Sequence, residues 1–161
     1  MTHQHFHNSV GSFSFDGLIE ELVLYIHQKP DARYHIVVGS DSRAEKEVCF
    51  VTAVGVHRIG KGGRYFWSRS LPEKCGTLQD RIFKETMRSI VFTQELRSAL
   101  KDRLGEEFFW NNNLTVHLDV GENGPTRDLI DTVVGMVKGY GFEAAVKPYS
   151  FGAFVLADRH T

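Results

Sequence analysis

Cysteine is nearly absent, with Cys49 and Cys75 the only two in 161 residues. Two isolated thiols are too few for a structural zinc site, and they suit a reducing compartment better than a disulfide framework. No apolar run approaches the roughly 18 residues of a membrane span, so no membrane association is expected. The opening stretch MTHQHFHNS has neither the basic nor the apolar region of a secretory signal. A cytoplasmic location is therefore expected. Net charge is also lacking: the formal value is −1 and the pI about 6.7. A polycation is excluded, and any nucleic-acid contact must come from a local patch. There is no repeat, low-complexity tract or linker. The chain reads as one domain over 1–161, with 1–12 as a flexible lead-in.

What is present is a clear alternation of periods. Residues 15–30, FDGLIEELVLYIHQKP, carry helical apolar spacing, with Asp16 as a plausible cap and Lys29-Pro30 as a stop. YHIVVGSDS and EVCFVTAVGVHRI are β-branched runs separated by RAEK, and GKGG turns the chain into a third strand, RYFWSRSL. Glycine and proline are missing from 77–104, the best helix in the chain. LTVHLDV and FEAAVKP read as the fourth and fifth strands, with a helix between them that opens near Pro125 and closes at Gly139. SFGAFVLADRH reads as a short final helix. The order β-β-β-α-β-α-β-α demands three antiparallel strands followed by a right-handed parallel unit. A mixed five-stranded α/β sheet with helices on both faces follows, and the ribonuclease H-like fold fits that order best.

Four carboxylates stand where carboxylates are costly. Asp41 ends an apolar strand in VGSDS, where it is either a turn residue bonding local backbone or a catalytic group. At 100° per residue, Leu78, Ile82, Phe92, Leu96 and Leu100 fall on one stripe of the long helix, and Glu85 lies inside it. Burial there needs compensation, unless that end of the stripe emerges into solvent. Asp119 closes the fourth strand, and Asp158 shares a helical face with Phe151, Phe154 and Val155. Each has a bland explanation alone. Together, two aspartates at strand ends and two acids on apolar helix faces form a metal-site pattern. Oxygen ligands without cysteine favour Mg²⁺ or Mn²⁺, and two such ions would offset the shared charge.

A basic stretch could supply substrate contacts. VGVHRIGKGGRYFWSRS holds Arg58, Lys61, Arg64 and Arg69 with no acid, interleaved with Tyr65, Phe66 and Trp67. That mixture suits phosphates and stacked bases, although Phe66 also fits a core. GENGPTR could present backbone N–H groups and Arg127 to a phosphate. Ser42, Arg58, Lys61, Arg64 and Arg127 are the expected substrate contacts. His117, two residues before Asp119, is either a packed ring or a support for that carboxylate. His160 could relay a proton near Asp158.

At VGSDSR, HLDVGENGPTR and KPYSFGAFVLADRHT the chain resembles the YkuK family of bacterial proteins, which are ribonuclease H-like, from about residue 13 to the end. The resemblance implies carboxylates gathered around metal on the first strand, the following long helix, the fourth strand and the last helix. Those roles pass to Asp41, Glu85, Asp119 and Asp158. The expected function is a phosphodiesterase or nuclease cutting RNA, RNA–DNA hybrid or DNA with two divalent ions. Asp41 would bridge them, Glu85 and Asp119 would hold one, and Asp158 the other. The rival expectation is a non-catalytic module that keeps the fold and binds nucleic acid or a protein partner.

Overall fold

The computed structural model describes residues 4–147. Two short strands, β1 (Phe6–His7) and β2 (Ser12–Phe13), precede helix α1 (Phe15–Gln28). The meander follows as β3 (Tyr34–Ser42), β4 (Phe50–Arg58) and β5 (Gly63–Arg69). Helix α2 (Leu78–Leu104), strand β6 (Leu114–Gly121), helix α3 (Ile130–Gly139) and strand β7 (Glu143–Lys147) complete the described chain. The short final helix expected over 150–160 lies outside the described residues.

Among the described residues, one sheet joins seven strands in the order β2-β1-β5-β4-β3-β6-β7. The meander pairs antiparallel, while β6 runs parallel to both β3 and β7, as the order of elements requires. The described residues thus give seven strands where five are expected. The two additional strands come from the polar N-terminal stretch taken as a flexible lead-in. Phe6 is fully buried, with its ring centroid 5.3 Å from that of Phe92 and 6.4 Å from that of Phe15. One aromatic side chain anchors a segment that composition alone leaves unstructured. Phe6→Ala should therefore cost about 3 kcal/mol in a urea melt, the low end of the range for a buried ring.

Helix α1 is capped by Ser14, whose hydroxyl accepts the Gly17 N–H at 3.1 Å. Asp16, the cap suggested by sequence, sits instead in the first turn, where its charge complements the helix dipole. Thr77 caps α2 by accepting the Asp80 N–H at 3.0 Å, and Gly105 ends it at a φ of 90° that favours glycine.

The apolar faces of α1, α2 and α3 meet the same side of the sheet, so among the described residues the expected helices on both faces are not seen, the expected last helix lying outside them. Leu18, Leu22 and Val23 of α1, with Phe92, Leu96 and Leu100 of α2, cluster with Ile36, Val38, Val54, Val56 and Phe66. Ile82 and Ile90 of α2 cluster with Val116, Leu118 and Val120 of β6 and Val133 and Val137 of α3. Strand alternation then directs Val51 and Ala53 to the opposite side, where they form a separate buried pair with the partly buried Trp67 against them. This packing lays α2 directly across the end of β3, and that is what positions the site.

Candidate metal centre

Asp41 is not a turn residue. It lies within β3, paired with Val51, and is only 4% exposed. Parallel pairing matches Gly39 of β3 with His117 of β6. Two residues further along their strands stand Asp41 and Asp119, whose carboxylates come together. The β6–β7 pairing is irregular between His117 and Gly121, the kind of local break that re-aims a side chain near a site. Glu85 descends from α2 on its core-facing stripe and is also 4% exposed, so this end of the stripe does not emerge into solvent.

The three carboxylates meet. Asp41, Glu85 and Asp119 each offer an oxygen within 4.8 Å of the others. Ser42 Oγ donates to Glu85 Oε1 at 2.5 Å. Burial pushes the Glu85 carboxyl up from 4.5 to about 8, against the Ser42 hydrogen bond that pulls it down. The charges of Asp41 and Asp119 push it further, and Arg81 opposes them. At neutral pH and without a cation, Glu85 therefore holds a proton.

The floor beneath the cluster is polar and tight. Ser89 Oγ donates to Ser40 Oγ at 2.8 Å, and Ser40 Oγ lies 2.9 Å from Thr52 Oγ1. Ser40, Ser89, His117, Glu85 and Asp119 border a cavity of about 10 Å³, room for no more than one water. His117 is buried in that floor. Three carboxylates with no cysteine, thus pooled, could hold a hard divalent cation of the Mg²⁺ or Mn²⁺ type. Asp158 and His160, expected to join them, lie outside the described residues.

The expected substrate contacts separate. Ser42 is at the site, through its bond to Glu85. Arg58 is not: it pairs with Tyr34 at the far end of β3, about 23 Å of strand from Asp41 at 3.3 Å per residue. It is 7% exposed, donates from Nη2 to the Tyr25 carbonyl at 2.7 Å and from Nε to Tyr34 Oη at 3.2 Å, and lies 4.0 Å from the Tyr25 ring centroid. The expectation of a phosphate-binding Arg58 is corrected here, because its charge is spent holding α1 to the sheet. Arg58→Ala should lower stability by about 2 kcal/mol in urea. It should leave nucleic-acid affinity in a gel-shift assay unchanged.

Lys61 and Arg64 are exposed on the same distant hairpin, Arg64 with its guanidinium 4.6 Å from the Tyr25 ring centroid. Phe66 is core, as one of its two readings has it. Arg127 is exposed in a 3-10 turn, Arg127–Leu129. The GENGPTR loop spends its first N–H internally, Gly121 donating to Thr126 Oγ1 at 3.2 Å.

Two cations at the cluster escape a linear reading. Arg81 Nη1 donates to the Ser42 carbonyl at 3.4 Å, and Lys147 Nζ forms an ion pair with Asp119 Oδ1. Arg81 stands one helical turn before Glu85, a spacing that puts both on one face. Lys147 has no such signal, since its contact depends on strand register.

The comparisons agree with this architecture. Residues 17–161 match the family model described as "Ribonuclease H-like". The "Uncharacterized protein YkuK" of Bacillus subtilis (strain 168) is 32% identical, over 95% of this chain and 94% of its own. No solved structure matches the chain significantly. No helix among the described residues is long and apolar enough to cross a membrane. A meander, a long acid-bearing helix, a parallel unit and these two matches lead to one assignment: the chain belongs to the ribonuclease H-like family, alongside YkuK.

Proposed function

We propose that the chain is a divalent-metal-dependent phosphodiesterase that hydrolyses RNA, RNA–DNA hybrid or DNA. One observation carries this reading: three carboxylates distant in sequence converge within 4.8 Å, two of them almost wholly buried. Pooling carboxylates out of water is costly, and a cation bound among them would offset that cost. Asp41, Glu85 and Asp119 would hold Mg²⁺ or Mn²⁺, which supplies Lewis-acid stabilisation of charge developing at phosphorus.

The remaining work falls to the chain. Ser42 fixes the Glu85 carboxylate by its hydrogen bond to Oε1, so a proton taken up by Glu85 sits on Oε2. Arg81, tethered to the Ser42 carbonyl, sets a positive charge beside the cluster and favours an anionic substrate. The polar floor leaves no room for a substrate group below the carboxylates.

A panel of labelled RNA, hybrid and single-stranded DNA, incubated with Mn²⁺ or with EDTA, tests the proposal. Cleavage of one class that EDTA abolishes is expected. Binding without cleavage, indifferent to EDTA, would instead identify a non-catalytic module.

A further inference from the structure

In the run EEFFWNNN two rings are packed and the third stands in water. Phe108 and Phe109 pack against the core from a 3-10 turn, Glu106–Phe109, whereas Trp110 is 70% exposed. A tight turn cannot aim three consecutive rings at one core, which accounts for an outward residue but not for its surroundings. Trp110 borders a groove of about 850 Å³ at the end of the sheet where β3 and β6 begin, and the half-exposed Ile59 borders it too. From His35 in that groove to Asp41 is about 20 Å of strand at 3.3 Å per residue. This is a separate place from the carboxylate cluster.

Backbone bonds fix the walls. Ile59 N–H donates to the Arg33 carbonyl at 2.8 Å, and Ile36 N–H donates to the Asn113 carbonyl at 2.7 Å. Asn113 Nδ2 closes the loop by donating to the Phe108 carbonyl at 2.6 Å. Asn112 turns the chain at a φ of 51°, in the left-handed region that asparagine tolerates. Asn111 and Asn112 are left as exposed amides on the groove, with no side-chain hydrogen bond among the described residues. The lining carries no net charge. Arg33 and Glu107 are of opposite sign, and burial, with the charge of His57, holds the His35 ring below its ordinary value, so it is neutral at pH 7. The volume falls within the roughly 300–1,000 Å³ of small-molecule sites.

A platform ring, two open amides and balanced charge suit a flat, uncharged ring with donors and acceptors along its edge. We propose that this groove binds an unstacked adenine base, laid on Trp110 and read along its N6–N7 edge by the amides of Asn111 and Asn112. A sugar ring also stacks on tryptophan; the choice of a base rests on the phosphodiesterase reading, whose substrates and products carry bases. The base comes either from a free nucleoside or from a single strand, and the recognised part is the base, not its phosphates.

Equilibrium dialysis of labelled adenosine, uridine and a short oligoadenylate against the full chain in EDTA tests this apart from any cleavage. Adenosine should bind more tightly than uridine. Trp110→Ala should weaken adenosine binding by about 5- to 150-fold, and Trp110→Phe should keep most of it, since a ring still stacks. Tighter binding of the oligoadenylate than of adenosine would assign the base to a strand, and the reverse to a free nucleoside. No binding of either at millimolar concentration, equal binding of adenosine and uridine, or full binding by Trp110→Ala would overturn the inference. Cleavage of nucleic acid without adenosine binding would remove this inference and leave the phosphodiesterase reading standing. The preference for adenosine is read on the wild type, so poor folding of a variant leaves the test decisive.

Discussion

Asp41→Asn should reduce Mn²⁺-dependent cleavage by about 10³-fold or more, well beyond the 10–100-fold that partners outside the ligand set typically cost. The change keeps the shape of the side chain and removes one ligand charge. Because Asp41 sits inside the β3–β4 ladder and not at its end, an isosteric swap leaves every backbone pair in place. The circular dichroism spectrum should match the wild type, and the urea midpoint should not fall, since one of three crowded charges is gone. Asp102→Asn, an exposed position near the end of α2, serves as the control and should cleave at the wild-type rate. Wild-type activity in Asp41→Asn would remove Asp41 from the site, whatever the other carboxylates do. Loss of cleavage together with a changed spectrum would point to folding instead, so both readouts are needed.

How far the sequence discloses such a site depends on the range over which each signal acts. Glu85 is legible because helical periodicity is local: its position between Ile82 and Phe92 on the stripe can be computed without knowing what the stripe meets. Asp41 and Asp119 are legible as strand-end acids, and the parallel pairing of β3 with β6 turns that hint into proximity. The N-terminal strands are not legible. Two residues each carry no period, and what orders them is a ring contact between Phe6 and Phe92, eighty-six positions away. Arg58 misleads for the same reason. A cation beside glycines suggests a surface, yet its partner is Tyr25, on a helix that packs back over the sheet. Lys147 meets Asp119 only through the register of two strands that the sequence specifies as hydrophobic patterns and not as pairs.

The second large effect concerns stability and its pH dependence. Glu85 is raised from 4.5 to about 8 in the folded protein, chiefly by burial. Between those values the folded state binds more protons than the unfolded one, so the metal-free protein should lose stability as pH rises. Below about 4.5 the carboxyl is protonated in both states and contributes no slope. Above about 8 it is ionised in both, and the loss is complete. At 1.36 kcal/mol per pH unit, the loss is on the order of 3–5 kcal/mol. Urea melts in EDTA at pH 5, 6.5 and 8 should show it directly. Glu85→Gln should flatten that slope, because the amide oxygen can still accept the Ser42 hydroxyl while no charge forms. The variant should therefore be more stable than the wild type at pH 8 and about equal at pH 5. Mn²⁺ should reverse the ranking: it stabilises the ionised wild-type cluster at pH 8 and displaces the Glu85 proton, while the variant gains less. Because His35, held below its ordinary value by burial, adds a slope of opposite sign, the difference between wild type and Glu85→Gln is the readout, and equal slopes in the two would mean that Glu85 reaches water after all. A buried carboxylate that weakens the fold when empty and strengthens it when loaded is what selection for an ion, and not for packing, would leave at this position.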